Sequence, residues 1–223
     1  MVWAVLAAAG RGERLGTDRP KAFARLGERP LLAESMERLE SSGWIDAIVV
    51  AAPPEWEEPA ILLAEELGAG KVSSVVTGGE SRSESVRLAM EEVPGDAAAV
   101  LVHDAARPLL SDAVIERVLA PLSEGWDGVV PALPVSDTVK RVQRDQVVET
   151  LPRDELVAVQ TPQAFVASML RDALGGNVAE ASDCASLVEA RGGRVKVVEG
   201  DRRLVKVTGP EDLALVESWL NGA

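Results

Sequence analysis

The feature that most constrains the fold is an apolar run at positions 2–9 that leads into a glycine-rich, cationic loop. The run has the length of a buried parallel strand. Gly10 and Gly12 allow close approach of the backbone to a bulky ligand, and Arg14 and Lys21 follow in the same stretch. Free backbone N–H groups beside two cations suit a triphosphate. We therefore predict a phosphate-binding turn after the first strand.

Two common nucleotide motifs do not match this loop. The dinucleotide fingerprint G-x-G-x-x-G requires a third glycine at position 15, where the chain has Leu15, and Gly16 comes one residue late. The G-x-x-x-x-G-K-[ST] loop requires a glycine before Lys21, where the chain has Pro20. A dinucleotide dehydrogenase is therefore disfavoured. From this stretch alone, an ordinary turn in an enzyme that binds its ligand elsewhere remains open.

Aliphatic runs alternate with stretches of helical period along most of the chain. Further strands are predicted at 45–52, 72–76, 97–102, 128–133, 194–198 and 203–207, and helices at 30–42, 57–67, 111–122, 166–174 and 210–220. This alternation predicts an α/β, Rossmann-like fold with a mostly parallel sheet, helices on both faces and ligands at the carboxyl ends of the strands. Since no internal repeat or linker interrupts it, we expect a single domain over residues 1–223.

One segment departs from this pattern. Residues 137–142 and 147–151 alternate in polarity and flank a polar turn at 144–146, which predicts a protruding β-hairpin within about 136–155. A two-stranded hairpin has little stability of its own. We therefore expect this arm to pack on a second subunit of a homodimer.

The charge and the rare residues exclude several classes of partner. A formal net charge of -13 disfavours binding to nucleic acid or to an anionic membrane, so an anionic ligand needs a local cationic pocket. With Cys184 as the one cysteine and His103 as the one histidine, an internal disulfide and a Cys- or His-rich metal site are excluded. A metal would have to be held by carboxylates and ligand phosphates. No membrane-length apolar run or signal-peptide pattern is evident, so we expect a cytoplasmic location.

Polar residues gather where predicted strands end. Residues 77–85 place two glycines and several serines before a helix, where backbone groups can hold a base or phosphate, although a simple helix cap is the alternative. At 103–108, Asp104 is placed to bind or orient Mg²⁺ and Arg107 to hold an anion, although the two could form a local ion pair. His103 points away from Asp104 in a continuing strand, which favours a structural role.

Taken together, these blocks resemble one enzyme family over the full length of the chain and in collinear order. They are A-A-A-G-x-G-x-R at 7–14, P-K at 20–21, G-G-x-x-R-x-x-S-V at 78–86, V-H-D-A-A-R-P at 102–108, D-T-V-K at 137–140, T-P-Q at 161–163 and V-K-V-T-x-P-E-D-L at 205–213. The family is 2-C-methyl-D-erythritol 4-phosphate cytidylyltransferase of the non-mevalonate isoprenoid pathway.

The resemblance implies a dimeric, Rossmann-like enzyme that joins CTP and 2-C-methyl-D-erythritol 4-phosphate into 4-diphosphocytidyl-2-C-methyl-D-erythritol. It releases diphosphate and uses Mg²⁺ or another divalent cation. By the same resemblance, the catalytic cations are Arg14, Lys21 and Lys206, and the nucleotide is held by Ala8, Ala9, Gly10, Gly12, Gly79, Glu80 and Ser85. The resemblance places Asp104, Arg107, Thr138, Thr161, Ser182 and Lys206 around the polyol phosphate and Asp104 at the metal, with Arg153 reaching in from the partner's arm.

Elementary chemistry agrees with this assignment. The substrate phosphate is already an anionic nucleophile, so attack on the α-phosphorus of CTP requires no serine, cysteine or histidine. It requires charge neutralisation of two polyanions, which Arg14 and Lys21 supply within an acidic chain.

Some positions depart from the family pattern and leave alternatives. Ser182-Asp183-Cys184 stands where the family commonly has Thr-Asp-Glu, and Ala22 stands where a glutamine is frequent. Ser182 keeps a hydroxyl, whereas Cys184 cannot replace a carboxylate and reads most simply as a buried thiol. The alternatives are a cytidylyltransferase acting on ribitol 5-phosphate or another polyol phosphate, and a non-catalytic nucleotide-binding protein on the same fold.

Overall fold

A computed structural model describes residues 1–10, 12–16, 18–178 and 181–222. The helices are α1 (Leu31–Ser41), α2 (Glu57–Glu66), α3 (Arg82–Glu91), α4 (Asp112–Leu119), α5 (Ala167–Leu174), α6 (Cys184–Ala190) and α7 (Pro210–Asn221). The strands are β1 (Val2–Ala7), β2 (Arg25–Leu26), β3 (Arg29–Pro30), β4 (Ala47–Ala52), β5 (Val72–Thr77), β6 (Ala99–Asp104), β7 (Gly128–Pro134), β8 (Val139–Gln143), β9 (Gln146–Leu151), β10 (Val157–Val159), β11 (Gln163–Val166) and β12 (Val195–Glu199).

The central sheet has eight strands and is mixed. From one edge it runs β5-β4-β1-β6-β11-β7, and β10 and β12 also pair with β7. The β1–β4, β1–β6, β4–β5 and β7–β12 pairs are parallel, whereas β10 and β11 run antiparallel to their neighbours. This confirms the predicted Rossmann-like α/β fold with a mostly parallel sheet.

Helices cover both faces of the sheet, as predicted. Side chains of β1 alternate between the two cores: Ala4 and Leu6 pack with the residues of α1, α2 and α4, and Val5 packs with those of α3, α5 and α6. All six residues of β4 and of β6 are buried, which explains why their sequences read as nearly continuous aliphatic runs. A third cluster joins the β2–β3 hairpin to α7 and includes Leu15 and Val207.

The predicted arm is present. Strands β8 and β9 form a separate antiparallel sheet, and Arg144 and Asp145 at the turn between them have positive φ values of 45° and 67°. A two-residue turn with both φ values positive matches the twist of an antiparallel hairpin. Along the arm, Val142, Val147 and Val148 are 55%, 53% and 47% exposed.

Two local predictions of secondary structure were wrong. Residues 203–207, expected as a strand, form no strand in the structure. Conversely, β11 was missed, and it inserts antiparallel between β6 and β7. Both errors concern segments whose state depends on which strand edge lies next to them, and a local pattern does not carry that information.

Candidate active site

A cavity of about 1250 Å³ opens at the carboxyl ends of the central parallel strands. Its wall includes the residues after β1, the start of α3 and the last residue of β6. In the described part of the chain, the predicted site residues that line it are Ala8, Ala9, Gly10, Gly12, Arg14, Lys21, Gly79, Glu80, Ser85, Asp104 and Lys206. Residues from distant parts of the sequence therefore meet at the predicted edge of the sheet.

The glycine-rich loop folds back on the segment that carries Lys21. The backbone N–H of Lys21 donates to the carbonyl of Gly10 at 3.3 Å, and Lys21 begins a short 3-10 turn, Lys21–Phe23. Gly12 has a φ of 71°, and a Cβ added there would lie 2.6 Å from Cβ of Lys21. Glycine at position 12 is thus required both by the backbone conformation and by the close approach of Lys21.

The ammonium of Lys21 lies in a positive environment. Burial, followed by the charges of Lys206 and Arg14, lowers the pKa of Lys21 to about 8, although Asp104 opposes this shift. Arg14 is exposed on the 3-10 turn Glu13–Leu15. An anion bound here would relieve the repulsion among these cations, so the site is suited to a polyphosphate.

The start of α3 and the glycines before it line the cavity. Ser81 caps the helix, and its Oγ accepts from the backbone N–H of Glu84 at 3.1 Å. The hydroxyl of Ser85 accepts from the N–H of Gly79 at 3.1 Å and donates to the carbonyl of Ser81 at 2.9 Å. A side chain at position 78 would collide with Ala9. Because Gly78 has none, the loop before α3 packs directly on the loop after β1. The predicted helix cap and the predicted ligand wall are therefore the same structure.

Asp104 is the carboxylate deepest in the cavity, with 5% of its surface exposed. Its Oδ1 accepts from Nε of Arg82 at 2.7 Å and its Oδ2 from Nζ of Lys206 at 2.7 Å. Burial alone would raise the pKa of Asp104, but the charges and hydrogen bonds of Arg82 and Lys206 outweigh it and hold the pKa well below its ordinary value. Asp104 is therefore a fixed anion between two cations.

Arg82 is the functional candidate that sequence reasoning missed. It is the first residue of α3, it lines the cavity, and its Nη1 also lies 3.6 Å from Sγ of the buried Cys184. The arginine of the G-G-x-x-R block was visible in the sequence. Its pairing with a residue 22 positions away was not, because that pairing depends on the neighbouring positions of α3 and β6.

Trp56 also lines the cavity and was not predicted. Its ring lies 4.6 Å from that of Phe23, centroid to centroid, so it packs on the turn that begins with Lys21. A tryptophan just after two prolines carried no recognisable signal in the sequence.

Five predicted substrate residues do not line the cavity within the described chain. Nη1 of Arg107 donates to the carbonyl of Leu204 at 2.6 Å. Oγ1 of Thr161 accepts from the backbone N–H of Asp104 at 3.1 Å and so lies behind that residue. Nη1 of Arg153 donates to the carbonyl of Ser136 in the arm at 2.7 Å. The remaining two, Thr138 and Ser182, are exposed. The substrate contacts of these residues stay predictions.

His103 has the geometry of a structural histidine. It is fully buried; its Nε2 lies 3.0 Å from the carbonyl of Arg107 and its Nδ1 lies 3.3 Å from Oγ1 of Thr161. These contacts suit a neutral ring that donates through Nε2 and accepts at Nδ1. Burial lowers the pKa of His103 to about 4, so the ring is neutral at physiological pH.

The residues around Asp104 fit a metal that is completed by ligand phosphates. No group of three or more His, Cys, Asp or Glu side chains with metal-binding geometry occurs in the part of the chain that the structure describes. Mg²⁺ is commonly held by one or two carboxylates together with substrate phosphates and water. Asp104 offers one such carboxylate, and because its two oxygens already accept from Arg82 and Lys206, phosphates of a ligand would have to supply most of the coordination. Among the same residues, no helix has the length and apolar character needed to cross a bilayer.

Comparison with known proteins gives consistent matches over nearly the whole chain. The family model described as 2-C-methyl-D-erythritol 4-phosphate cytidylyltransferase matches residues 2–222. A protein of that name from Frankia casuarinae is 46% identical over 220 residues, which cover 98% of this chain and 81% of the relative.

Two solved structures give the same result for the fold. The crystal structure of 2-C-methyl-D-erythritol 4-phosphate cytidylyltransferase from Thermus thermophilus is 34% identical, with a TM-score of 0.78 and coverage of 98% of both chains. A 4-diphosphocytidyl-2C-methyl-D-erythritol synthase structure from Anaerococcus prevotii has a TM-score of 0.84 at 24% identity, covering 99% of this chain and 98% of the other. At that identity the second likeness concerns the fold alone.

Proposed function

The chain belongs to the 2-C-methyl-D-erythritol 4-phosphate cytidylyltransferase family, and we propose that the cavity between Lys21 and Asp104 is its active site. The enzyme joins CTP and 2-C-methyl-D-erythritol 4-phosphate into 4-diphosphocytidyl-2-C-methyl-D-erythritol and releases diphosphate, in isoprenoid precursor biosynthesis. The observation that carries the proposed location is the set of cations, Arg14, Lys21 and Lys206, around one cavity of a chain with a net charge of -13.

CTP lies between the loop after β1 and the start of α3. Backbone groups of Gly10 and Gly12 face the triphosphate, and those of Ala8, Ala9, Gly79 and Glu80, supported by Ser85, face the cytidine. Support comes from the glycine positions, which bring the backbone to the cavity wall, and from the N-terminus of α3.

The reaction is an attack by a phosphate oxygen of the polyol phosphate on the α-phosphorus of CTP. The P–O bond to the β-phosphate breaks, and diphosphate leaves with its electron pair. Lys21 and Arg14 stabilise the negative charge that develops on the α-phosphate oxygens. Because the incoming phosphate is already ionised, no side chain has to remove a proton from it.

The polyol phosphate binds at the Asp104 end of the cavity. Lys206 binds its phosphate, and Asp104 accepts hydrogen bonds from its hydroxyls. Thr161 and Ser182 complete this region, as the family resemblance implies; Arg107, which the resemblance also places here, contacts the chain next to Lys206 through the carbonyl of Leu204. The pairing of Asp104 with Lys206 supports the assignment. It places a cation that can bind a phosphate next to a carboxylate that can accept hydrogen bonds from hydroxyl groups.

A divalent cation, Mg²⁺ in the first instance, would be held by Asp104 and the phosphates of CTP. When bound, it would neutralise the phosphates and help diphosphate to leave. The carboxylate suits this role because Arg82 and Lys206 keep it ionised.

The arm at about 136–155 is proposed to form a homodimer, so that Thr138 and Arg153 reach the partner's cavity. Val142 and Val147, which pair across β8 and β9, are 55% and 53% exposed and give one face of the arm an apolar surface for a second subunit to cover. Residues 1–223 otherwise form one domain, and the cytoplasm, where CTP is available, is the proposed location.

Release of diphosphate from CTP and Mg²⁺ with individual polyol phosphates tests the function. We expect release with 2-C-methyl-D-erythritol 4-phosphate and at least about 10²-fold less with ribitol 5-phosphate, as expected when buried polar groups are left unpaired by the wrong substrate. Preferred use of ribitol 5-phosphate would contradict the substrate assignment. Binding of CTP without release from any polyol phosphate would indicate a non-catalytic binding protein.

A further inference from the structure

Lys206 lies on a segment with neither helix nor strand. Residues 200–209 connect β12 to α7. The side chain of Lys206 is 39% exposed, whereas Leu204 and Val207 on either side of it are fully buried. The position of Lys206 is therefore fixed by the attachments of its neighbours rather than by a hydrogen-bonded ladder.

Arg107 makes the attachment on the N-terminal side of Lys206. Its Nη1 donates to the carbonyl of Leu204 at 2.6 Å, and its own backbone N–H donates to the carbonyl of Asp104 at 2.9 Å. On the other side of Lys206, the N–H of Val207 donates to the carbonyl of Ala106 at 2.8 Å. The turn that follows Asp104 thus holds the chain both before and after Lys206.

Gln160 anchors the start of the same segment. Its side-chain amide donates from Nε2 to the carbonyl of Asp201 at 2.9 Å, and its Oε1 accepts from the N–H of Asp201 at 3.0 Å. Gln160 is only 6% exposed, so this pair of hydrogen bonds is shielded from water. A buried amide that satisfies both backbone groups of one residue fixes that residue as a strand neighbour would.

We propose that Arg107 and Gln160 are positioning residues that hold Lys206 at the distance from Asp104 needed to bind the polyol phosphate. The inference rests on the proposed function, in which Lys206 binds that phosphate. Neither residue lines the cavity within the described chain, so each acts through the segment at 201–207.

The primary measurement is steady-state kinetics of Arg107→Met and Gln160→Leu. We expect KM for the polyol phosphate to rise by about 10-fold or more, with KM for CTP within about 2-fold of the unmodified enzyme, because only one substrate is bound by Lys206. Arg107→Lys keeps a donor and should restore part of the affinity. Unchanged values of KM for the polyol phosphate, or equal rises for both substrates, would overturn the proposal.

Arg117→Met is the matched control. Nη1 of Arg117 also donates to a backbone carbonyl, that of Glu199 at 2.8 Å, but it does so before the segment that carries Lys206. This variant should leave both KM values unchanged. A rise in KM for the polyol phosphate equal to that of Arg107→Met would show that any loosened contact in the region has this effect, and would overturn the specific role.

Double variants separate positioning from direct contact with the substrate. In a Lys206→Ala background, adding Arg107→Met or Gln160→Leu should cause little further loss, since the group that they position is gone. Full additivity of Arg107→Met would instead show the direct substrate contact that the family resemblance implies, and would overturn its positioning role. If Arg107→Met does not fold, the comparison of Gln160→Leu alone with Gln160→Leu in the Lys206→Ala background decides whether the proposal holds. Failure of the unmodified enzyme to release diphosphate would refute the function itself, independently of these variants.

Discussion

Nζ of Lys206 lies 2.7 Å from Oδ2 of Asp104, although 102 positions of sequence separate the two residues. Because Arg82 holds the other oxygen of the same carboxylate at 2.7 Å, one buried anion organises two cations at the polyol end of the cavity. The stability of this arrangement and its use in the reaction lead to separate predictions.

Asp104→Asn should destabilise the fold as well as the reaction. The substitution leaves the largely buried guanidinium of Arg82, 22% exposed, without its anion. Breaking a buried pair from one side typically costs about 3–5 kcal/mol. We expect the free energy of unfolding in urea to fall by on the order of 3 kcal/mol. Adding Arg82→Met should recover part of this loss, and a single-variant loss near zero would contradict the account.

Lys21→Ala and Arg14→Ala should each lower kcat by about 10² or more, as the loss of transition-state contacts does. Neither residue makes an ion pair with another side chain of the described chain, so neither substitution should lower the melting temperature. Arg25→Ala, an exposed cation of β2, is the control and should leave kcat unchanged. Equal turnover in either test variant would refute its catalytic role.

The lowered pKa of Lys21 predicts a limit to activity at alkaline pH. With a pKa of about 8 in the free enzyme, Lys21 loses its charge above that pH, and kcat/KM for CTP should fall there. Stability should move the other way: between about 8 and the ordinary value of 10.5 the unfolded chain binds more protons than the folded one, so stability rises with pH. In Lys21→Arg, which stays charged, kcat/KM for CTP should no longer fall above pH 8. If it falls as in the unmodified enzyme, another group titrates there.

His103 predicts a loss of stability at acid pH. Its folded-state pKa of about 4 lies below the ordinary value of 6.5, so the unfolded chain takes up a proton that the folded chain does not. The contribution of His103 is complete above pH 6.5 and is lost as the pH falls towards 4, by on the order of 3 kcal/mol. Urea unfolding of the unmodified chain and of His103→Gln measures this. Between pH 4 and 6.5, the free energy of unfolding of His103→Gln should depend less on pH than that of the unmodified chain. The same pH dependence in both would refute this role of His103.

The arm predicts complementation between two defective subunits. If Arg153 acts in the partner's cavity, mixed dimers of Arg153→Ala and Lys21→Ala subunits contain one cavity with both residues intact. Some activity should therefore return on mixing, whereas each homodimer alone stays inactive. Confirmed mixed dimers without recovered activity would place Arg153 in its own chain's site.

Much of the site was predictable because the sequence concentrates polar residues where aliphatic strands end. The loops after β1 and β6 and the start of α3 were identified from such runs, and all three line the cavity. The failures have a common cause. The segment at 203–207 has a strand-like sequence but pairs with no strand; instead the carbonyl of Leu204 accepts from Arg107 and the N–H of Val207 donates to the carbonyl of Ala106. Arg82 was passed over because its partner lies on another element.

The sequence by itself determined the alternation of strands and helices, the glycine loop, the hairpin arm and the family, because these depend on local periodicity, turn chemistry and ordered motifs. Only the tertiary structure decided which charges meet. The parallel order of β1 and β6 and the packing of α3 bring Arg82 to Asp104, and the contacts of Arg107 and Gln160 bring Lys206 to the same carboxylate. Ion pairs of this kind join residues far apart in the chain, and their geometry is set by packing rather than by any local pattern.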